Sequence, residues 1–461
     1  MQSLFNDLTA AVGAEHVQTD QEARAAHAVQ GVAPGCVVAP GTLDELAAAV
    51  RAAHEHGAAV VPWGGGTQQR IGRPPTRADV VVRTGRLSRV LVHEPDDLTI
   101  SVEAGMTLGA LRAHLARHGQ MLPLDPPLPE RTTVGGLIAT AADGPRRLGY
   151  GTLRDLLIGI TVVEADGRVS RGGGMVVKNV SGFDMMKLYL GSFGTLAVVA
   201  SANFKLLPAP RATGSLLCRF AAPAQAFAAV EALHLTQLTP TAVEYLSPRA
   251  LAGLAAGSAE ISEEGALGTQ TGSGGRPRAA SSSVDREVCG LLVRAEGLPQ
   301  AVARHLADIA AIAWRCGALE TEELAGTSEA ATWARAADLA QCAELAPHEA
   351  LVKLAVLPAD VERAAARVEE LGARHGATAA LTARALSGVA YARLSELDSP
   401  RLAAILEEIP GLQWVATDLP GTPRWGPAPQ GVEVMQRIKQ EFDPHNRLNP
   451  GRFVEAIERS L

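Results

Sequence analysis

The sequence predicts an α+β protein of two domains, on three observations. Helix-period and strand-period segments alternate through roughly the first 200 residues. After about residue 214 the pattern tightens into strand-helix-strand units. Glycine-rich stretches also follow apolar runs in two places, near residue 64 and between residues 132 and 195. The chain has 461 residues, 47% of them apolar, enough to build more than one core.

The elements follow in order. Thr42-Leu43-Asp44-Glu45 carries a capping-box signature, and Leu46, Val50 and Ala53 then share one helical face. Ala58 to Pro62 reads as a buried strand that runs straight into glycines. Asp79 to Arg83 and Leu98 to Glu103 read as further strands, and Thr107 opens a second amphipathic helix carrying Leu108, Leu111 and Leu115. Ile158 to Glu164 and Arg168 to Arg171 flank Asp166-Gly167, which predicts a hairpin. Beyond Gly214, strand patterns at Ser215 to Phe220, Val288 to Ala295 and Leu351 to Leu357 each precede a helix, which resembles ferredoxin-like halves. Residues 256–285 are rich in Gly, Ser, Thr and Pro and too poor in large apolar groups to offset the entropy of ordering them, so a flexible insertion is expected there.

Composition removes several functions. The net charge of −7 and the lack of a lysine-rich stripe argue against a nucleic-acid partner. Cys36, Cys218, Cys289, Cys316 and Cys342 are odd in number and widely spaced, which writes neither a disulfide framework nor an iron–sulfur or other metal site; no metal is expected. The N-terminal residues lack a signal-peptide pattern and no apolar run reaches membrane-spanning length, so the expectation is a cytoplasmic protein, peripheral to the inner membrane only through partners. The chain lacks a Gly-x-Gly-x-x-Gly after a strand, a P-loop, a His-Glu-x-x-His and a Gly-x-Ser-x-Gly elbow.

The glycines carry the chemistry. Val60 to Thr67 read Val-Val-Pro-Trp-Gly-Gly-Gly-Thr, and bare backbone N–H groups in such a run can converge on a pyrophosphate, although glycine runs also make plain loops. Downstream lie Thr132 to Thr140, Gly144 to Gly151, Val177 to Asp184 and Gly191 to Leu196, all dominated by small residues. A large flat cofactor needs such surfaces, because its ring must lie against main chain.

Together these segments resemble the vanillyl-alcohol oxidase, or PCMH-type, family of FAD-binding domains, and within it the FAD-binding subunits of glycolate oxidases. The resemblance rests on Gly64-Gly65-Gly66-Thr67 through Gly72-Arg73-Pro74-Pro75, on Gly144-Pro145-Arg146-Arg147, on Lys178-Asn179-Val180-Ser181-Gly182-Phe183-Asp184, and on the tail from Phe442 to Arg452. It implies a PCMH-type FAD-binding domain of two α/β subdomains at residues 1–210, a ferredoxin-like α+β cap at 211–425, and a C-terminal segment, 426–461, that returns to the FAD domain. Gly64, Gly65, Gly66, Thr67 and Gln68 would then hold the pyrophosphate loop. The adenosine and isoalloxazine would lie along Thr133, Gly135, Gly136, Thr140, Gly144, Gly149 and Arg154, with Val198 on the adenine side and Asn449 in the returning tail. Lys178, one of five lysines, reads either as a positive charge near the flavin or as a solvated loop residue.

The departures also carry meaning. Thr67 and Gln68 stand where covalent-flavin members carry a histidine, which implies non-covalent FAD, and Trp63 stands where an arginine is common. The His-x-Gly-Asp-Gly-Asn-x-His motif that binds metal and abstracts the substrate proton in catalytic members is missing, and His234, His305, His348, His375 and His445 sit in no ligand spacing, so no catalytic base is assigned. Lys353 reads as the polar side of an alternating strand, or as a contact for an acid substrate. The resemblance implies oxidation of a small 2-hydroxy acid, glycolate to glyoxylate, beside a catalytic FAD subunit and an iron–sulfur subunit. Two alternatives stay open: a non-catalytic assembly subunit, and a stand-alone oxidase of another hydroxy acid.

Overall fold

The computed structural model describes residues 2–176, 182–254, 288–409 and 411–454. The expected insertion at 256–285 and Lys178 lie outside the described residues. The chain divides into two units, one formed by Met1–Ala209, Gln341–Pro347 and Gln413–Leu461, the other by Pro210–Ala340 and His348–Leu412.

Two sheets form the first unit. In one, Cys36–Val38, Val80–Arg83 and Val60–Trp63 lie parallel in that order, with Val17–Gln18 antiparallel at the edge. These strands are nearly continuous runs of valine, as befits a small parallel sheet covered by helices. Helix Leu43–Glu55 covers it, with Leu46, Val50 and Ala53 fully buried, and helix Gln2–Val12 adds Leu4 and Leu8 to the same core. Each such leucine contributes about 2 kcal/mol of burial. Thr42 caps its helix by accepting from Glu45 N at 3.1 Å, while the Glu45 carboxylate reaches one residue further back than a regular capping box, to Gly41 N at 2.7 Å.

The other sheet is antiparallel, in the order Val90–Glu94, Thr99–Glu103, Val198–Lys205, Leu157–Val163, Val169–Gly173. Its last two strands are the hairpin expected around Asp166-Gly167, where Gly167 adopts a positive φ of 84°. Helices Leu108–Ala116, Val134–Thr140 and Met185–Tyr189 pack on it through Leu108, Leu111, Leu115, Val134, Leu137 and Met186.

The C-terminal tail belongs to this unit and joins the first sheet. Leu448 bridges Val60 in parallel, Val60 N donates to Arg447 O at 2.8 Å, and Asn449 N donates to Val60 O at 2.8 Å. A buried ion pair holds the turn before it. Lys439 Nζ meets Asp443 Oδ2 at 2.6 Å and also donates to Thr195 O at 2.9 Å, while the Asp443 carboxylate accepts from Arg447 N at 2.8 Å and Leu448 N at 2.7 Å.

In the second unit, strands Ala212–Phe220, Ala242–Leu246, Cys289–Gly297 and Ala318–Leu324 alternate with helices Pro223–His234 and Pro299–Arg315. Taken in chain order as 1 to 4, the strands sit in the sheet as 4-1-3-2 and pair antiparallel, which is the ferredoxin-like arrangement read from the sequence. Strands Thr378–Arg384, Val389–Ser395 and Ala350–Ala355 continue the same sheet. Lys353 sits opposite Tyr391 on these strands, with its ammonium 5.9 Å from the ring centre. Among the described residues no helix is long and apolar enough to cross a membrane.

Candidate flavin cleft

Strand Val60–Trp63 ends at its carboxyl edge in the three glycines, and close packing explains why side chains are missing there. A Cβ on Gly65 would lie 1.6 Å from the Arg131 carbonyl oxygen, and one on Gly64 would lie 2.1 Å from Thr133 Oγ1. Gly66 has φ 74°, a conformation that penalises a Cβ. Loop 64–67 therefore lies directly against the segment that opens helix Val134–Thr140, where Thr133 caps by accepting from Gly136 N at 3.2 Å. Thr67 is buried, its hydroxyl 3.4 Å from Thr132 Oγ1, and its carbonyl accepts the Cys342 thiol proton at 3.1 Å.

These loops line one cleft. Gly64, Gly65, Gly66, Thr67, Gln68, Thr133, Gly135, Gly136, Thr140, Val198 and Asn449, singled out from the sequence, all line it. Gly144, Gly149 and Arg154 do not. A Cβ on Gly144 would meet Asp125 instead, and Arg154 is exposed, its carbonyl accepting from Lys187 Nζ. A wider cleft meets the first at Trp63, Gly66 and Gln69 and is walled by Arg70, Arg73 and Arg424.

Two buried polar groups in the first cleft have atoms that no described residue satisfies. Asn449 is 5% exposed and sits at φ 47°; its Nδ2 donates to Phe193 O at 2.7 Å, which leaves Oδ1 without a donor. Arg452 is 2% exposed; Nη1 donates to Arg73 O at 2.8 Å while Nε has no acceptor. Burial pushes its guanidinium down to about 10. Unmet groups of this kind are costly inside a protein, and here both residues line a cleft that they share with glycines, threonines, Gln68, Trp63 and Phe193. A group with a phosphate and ring N–H donors would satisfy both, so the donor and acceptor set fits a flavin dinucleotide. Beside Asn449, the rings of Phe193, Trp425 and Phe453 pack with centroids 5.1, 5.3 and 5.5 Å apart.

Sequence reading placed Trp63 near the phosphates but did not assign Phe193 and Arg452 as cleft residues. Arg452 had a signal, because it closes the Asn-Pro-Gly-Arg run of the tail, whereas Phe193 needs the tertiary contact with Asn449 to be found. His93, His114 and His118, not singled out from the sequence, bring ring nitrogens within 4.8 Å of one another. Among the described residues His234, His305, His348, His375 and His445 join no such group.

Comparison with known proteins places this geometry. Residues 34–173 match the FAD binding domain family, and residues 209–398 with 426–453 match the C-terminal domain of FAD linked oxidases. The glycolate oxidase subunit GlcD of Bacillus subtilis is 28% identical over 440 residues, covering 91% of this chain and 89% of that protein. The glycolate oxidase subunit GlcE of Escherichia coli is 38% identical over 158 residues, 34% of this chain and 45% of GlcE. A D-lactate dehydrogenase of Archaeoglobus fulgidus is 36% identical over 215 residues, 47% of this chain and 48% of that enzyme. Among solved structures, p-cresol methylhydroxylase with substrate bound superposes with a TM-score of 0.74 at 15% identity, covering 98% of this chain and 96% of that one. Alkyldihydroxyacetonephosphate synthase gives 0.71 at 18% identity, covering 98% and 84%. With both domains matched in order and the PCMH-type fold shared, the chain belongs to the FAD-linked oxidases, as an FAD-dependent oxidoreductase.

Proposed function

We propose that this chain is the FAD-binding subunit of a glycolate oxidase or dehydrogenase complex, in which a 2-hydroxy acid is oxidised and electrons pass to an iron–sulfur partner. The single observation that carries the cofactor part of this reading is the convergence of loop 64–67, Thr133, Gly135, Val198 and Asn449 on one cleft. The similarity to GlcD and GlcE supports the complex, and the scatter of relatives across glycolate, lactate and hydroxyglutarate enzymes supports a 2-hydroxy acid as the substrate class.

In this reading the amides of Gly64, Gly65, Gly66 and Thr67 hold the pyrophosphate, with the Thr67 hydroxyl beside them. Arg452 supplies a buried positive charge whose Nε–H awaits an acceptor, and Asn449 Oδ1 would accept from a ring N–H. Bound FAD supplies reversible two-electron redox chemistry. Thr67 and Gln68 offer no imidazole for covalent attachment, so the flavin is held by these contacts alone. The glycines would let the ring lie directly against the backbone, because no side chain stands between them. A proton acceptor for the substrate belongs to the partner subunit in this reading, since the described residues present no histidine motif for it.

The test is anaerobic addition of glycolate or lactate to the purified chain, followed at about 450 nm where oxidised flavin absorbs. Bleaching that requires the co-purified partners supports the subunit reading. Bleaching by the isolated chain points to a self-sufficient oxidase, and a flavin that never bleaches in the assembled complex points to an assembly role.

A further inference from the structure

We propose that His93, His114 and His118 form a binding site for a divalent transition-metal ion of the zinc class, on the second subdomain of the flavin domain. The three residues come from two elements. His93 lies on strand Val90–Glu94, and His114 and His118 lie four residues apart, in the last turn of helix Leu108–Ala116 and the turn that follows, so one helical face carries both. His93 Nδ1 is 3.1 Å from His114 Nε2, and the ring centroids are 5.1, 4.6 and 5.6 Å apart around the triangle.

The geometry suits a metal in its distances. Ligands at about 2.0–2.1 Å in a tetrahedron stand roughly 3.3 Å from each other. The His93–His114 pair is already at that separation, and all three ligand atoms lie within 4.8 Å. The remaining contraction falls on His118, whose exposed side chain is free to swing inward.

The orientation of His93 is set by a neighbour. Gln120 is 7% exposed and its Nε2 donates to Pro95 O at 2.7 Å. A carbonyl only accepts, so the amide is fixed with Oε1 facing His93 Nε2 at 2.9 Å. His93 therefore carries its proton on Nε2 and aims the Nδ1 lone pair into the cluster. An imidazole held in one tautomer by a buried acceptor on its far nitrogen is the arrangement that metal-ligating histidines use. On binding, the hydrogen bond from His114 Nε2–H to His93 Nδ1 gives way: the neutral His114 ring gives up its Nε2 proton to solvent and takes one on Nδ1, and both freed lone pairs become ligands. The fourth position is open to water, as no described acidic or thiol group joins the cluster. Arg117 is also nearby, but it is exposed and its Nε donates back to Ala113 O at 3.4 Å.

Untagged full-length chain with its flavin, stripped by chelator and dialysed, is titrated with zinc(II) against a chromogenic chelator, and cobalt(II) is added in parallel to read ligand-field absorption. The proposal expects one ion per chain, a tetrahedral cobalt spectrum, and a loss of affinity of about 100-fold in His118→Ala and of about 10- to 100-fold in Gln120→Leu, where every ligand remains. Flavin absorbance per chain reports that each variant has folded. Sub-stoichiometric binding, or an affinity that His93→Gln and Gln120→Leu both leave unchanged, overturns the proposal and leaves only ordinary surface-histidine binding.

Discussion

At the scale of the residue, the glycine at position 65 separates steric necessity from loop flexibility. Its missing Cβ would fall 1.6 Å from a carbonyl of the neighbouring loop, and backbone cannot step aside as the end of a side chain can. Gly65→Ala is expected to push loop 64–67 away from Arg131 and to lower flavin affinity at least 10-fold, read by fluorescence titration of the apo-chain. Gly85, which has open space around its Cβ position, is the control, and Gly85→Ala should leave affinity within two-fold. The glycine run was legible in the sequence because the need for bare amides is local. Arg452 was legible only in part: it closes a family-like tail motif, but its burial and its unmet Nε–H come from the fold. His93 escaped for the same reason: the His114-x-x-x-His118 spacing is visible in one dimension, but the strand partner 21 residues upstream is placed by sheet register.

At the scale of the element, the C-terminal turn depends on a single carboxylate. Asp443 is 1% exposed and accepts from an ammonium and from the amides of Arg447 and Leu448. Asp443→Ala leaves the Lys439 charge, itself 2% exposed, without its ion-pair partner, and is expected to cost about 3–5 kcal/mol in denaturant unfolding. Flavin retention should fall with it, because Asn449 enters the cleft through the same turn. Helix Leu43–Glu55 was readable from Thr42 and the apolar period because cap and stripe are both local signals. The parallel pairing of Leu448 with Val60 was not readable in detail, as the contact spans most of the chain and no short-range pattern encodes it. Gly144, Gly149 and Arg154 came into the expected site from the family resemblance; they lie outside the cleft lining, and Gly144 packs against Asp125.

At the scale of the whole molecule, ligand and stability are linked. Because FAD binds the folded form and the cleft is built from segments as distant as residues 64 and 452, cofactor binding should resist unfolding of the first unit as one body. At a free FAD concentration of about 100 times Kd the expected stabilisation is about 2.7 kcal/mol. Calorimetry with and without added FAD checks it, and a melting temperature that ignores FAD would contradict non-covalent binding at this cleft. The second unit shows how far pattern reading reaches. Its 4-1-3-2 strand order is the ferredoxin-like arrangement that the strand-helix-strand pattern suggested, although the strands Ala242–Leu246 and Ala318–Leu324 were not read from the sequence.

The pairing of Asn449 and Leu448 with Val60 sets a timetable for maturation. A nascent chain that has emerged only as far as its first two hundred or so residues owns the glycine loop but lacks the far wall of the cleft, including Asn449 and Arg452. Cofactor loading is then expected only once the tail through Arg452 has been made, and a chain truncated just before Asn449 should give a colourless product.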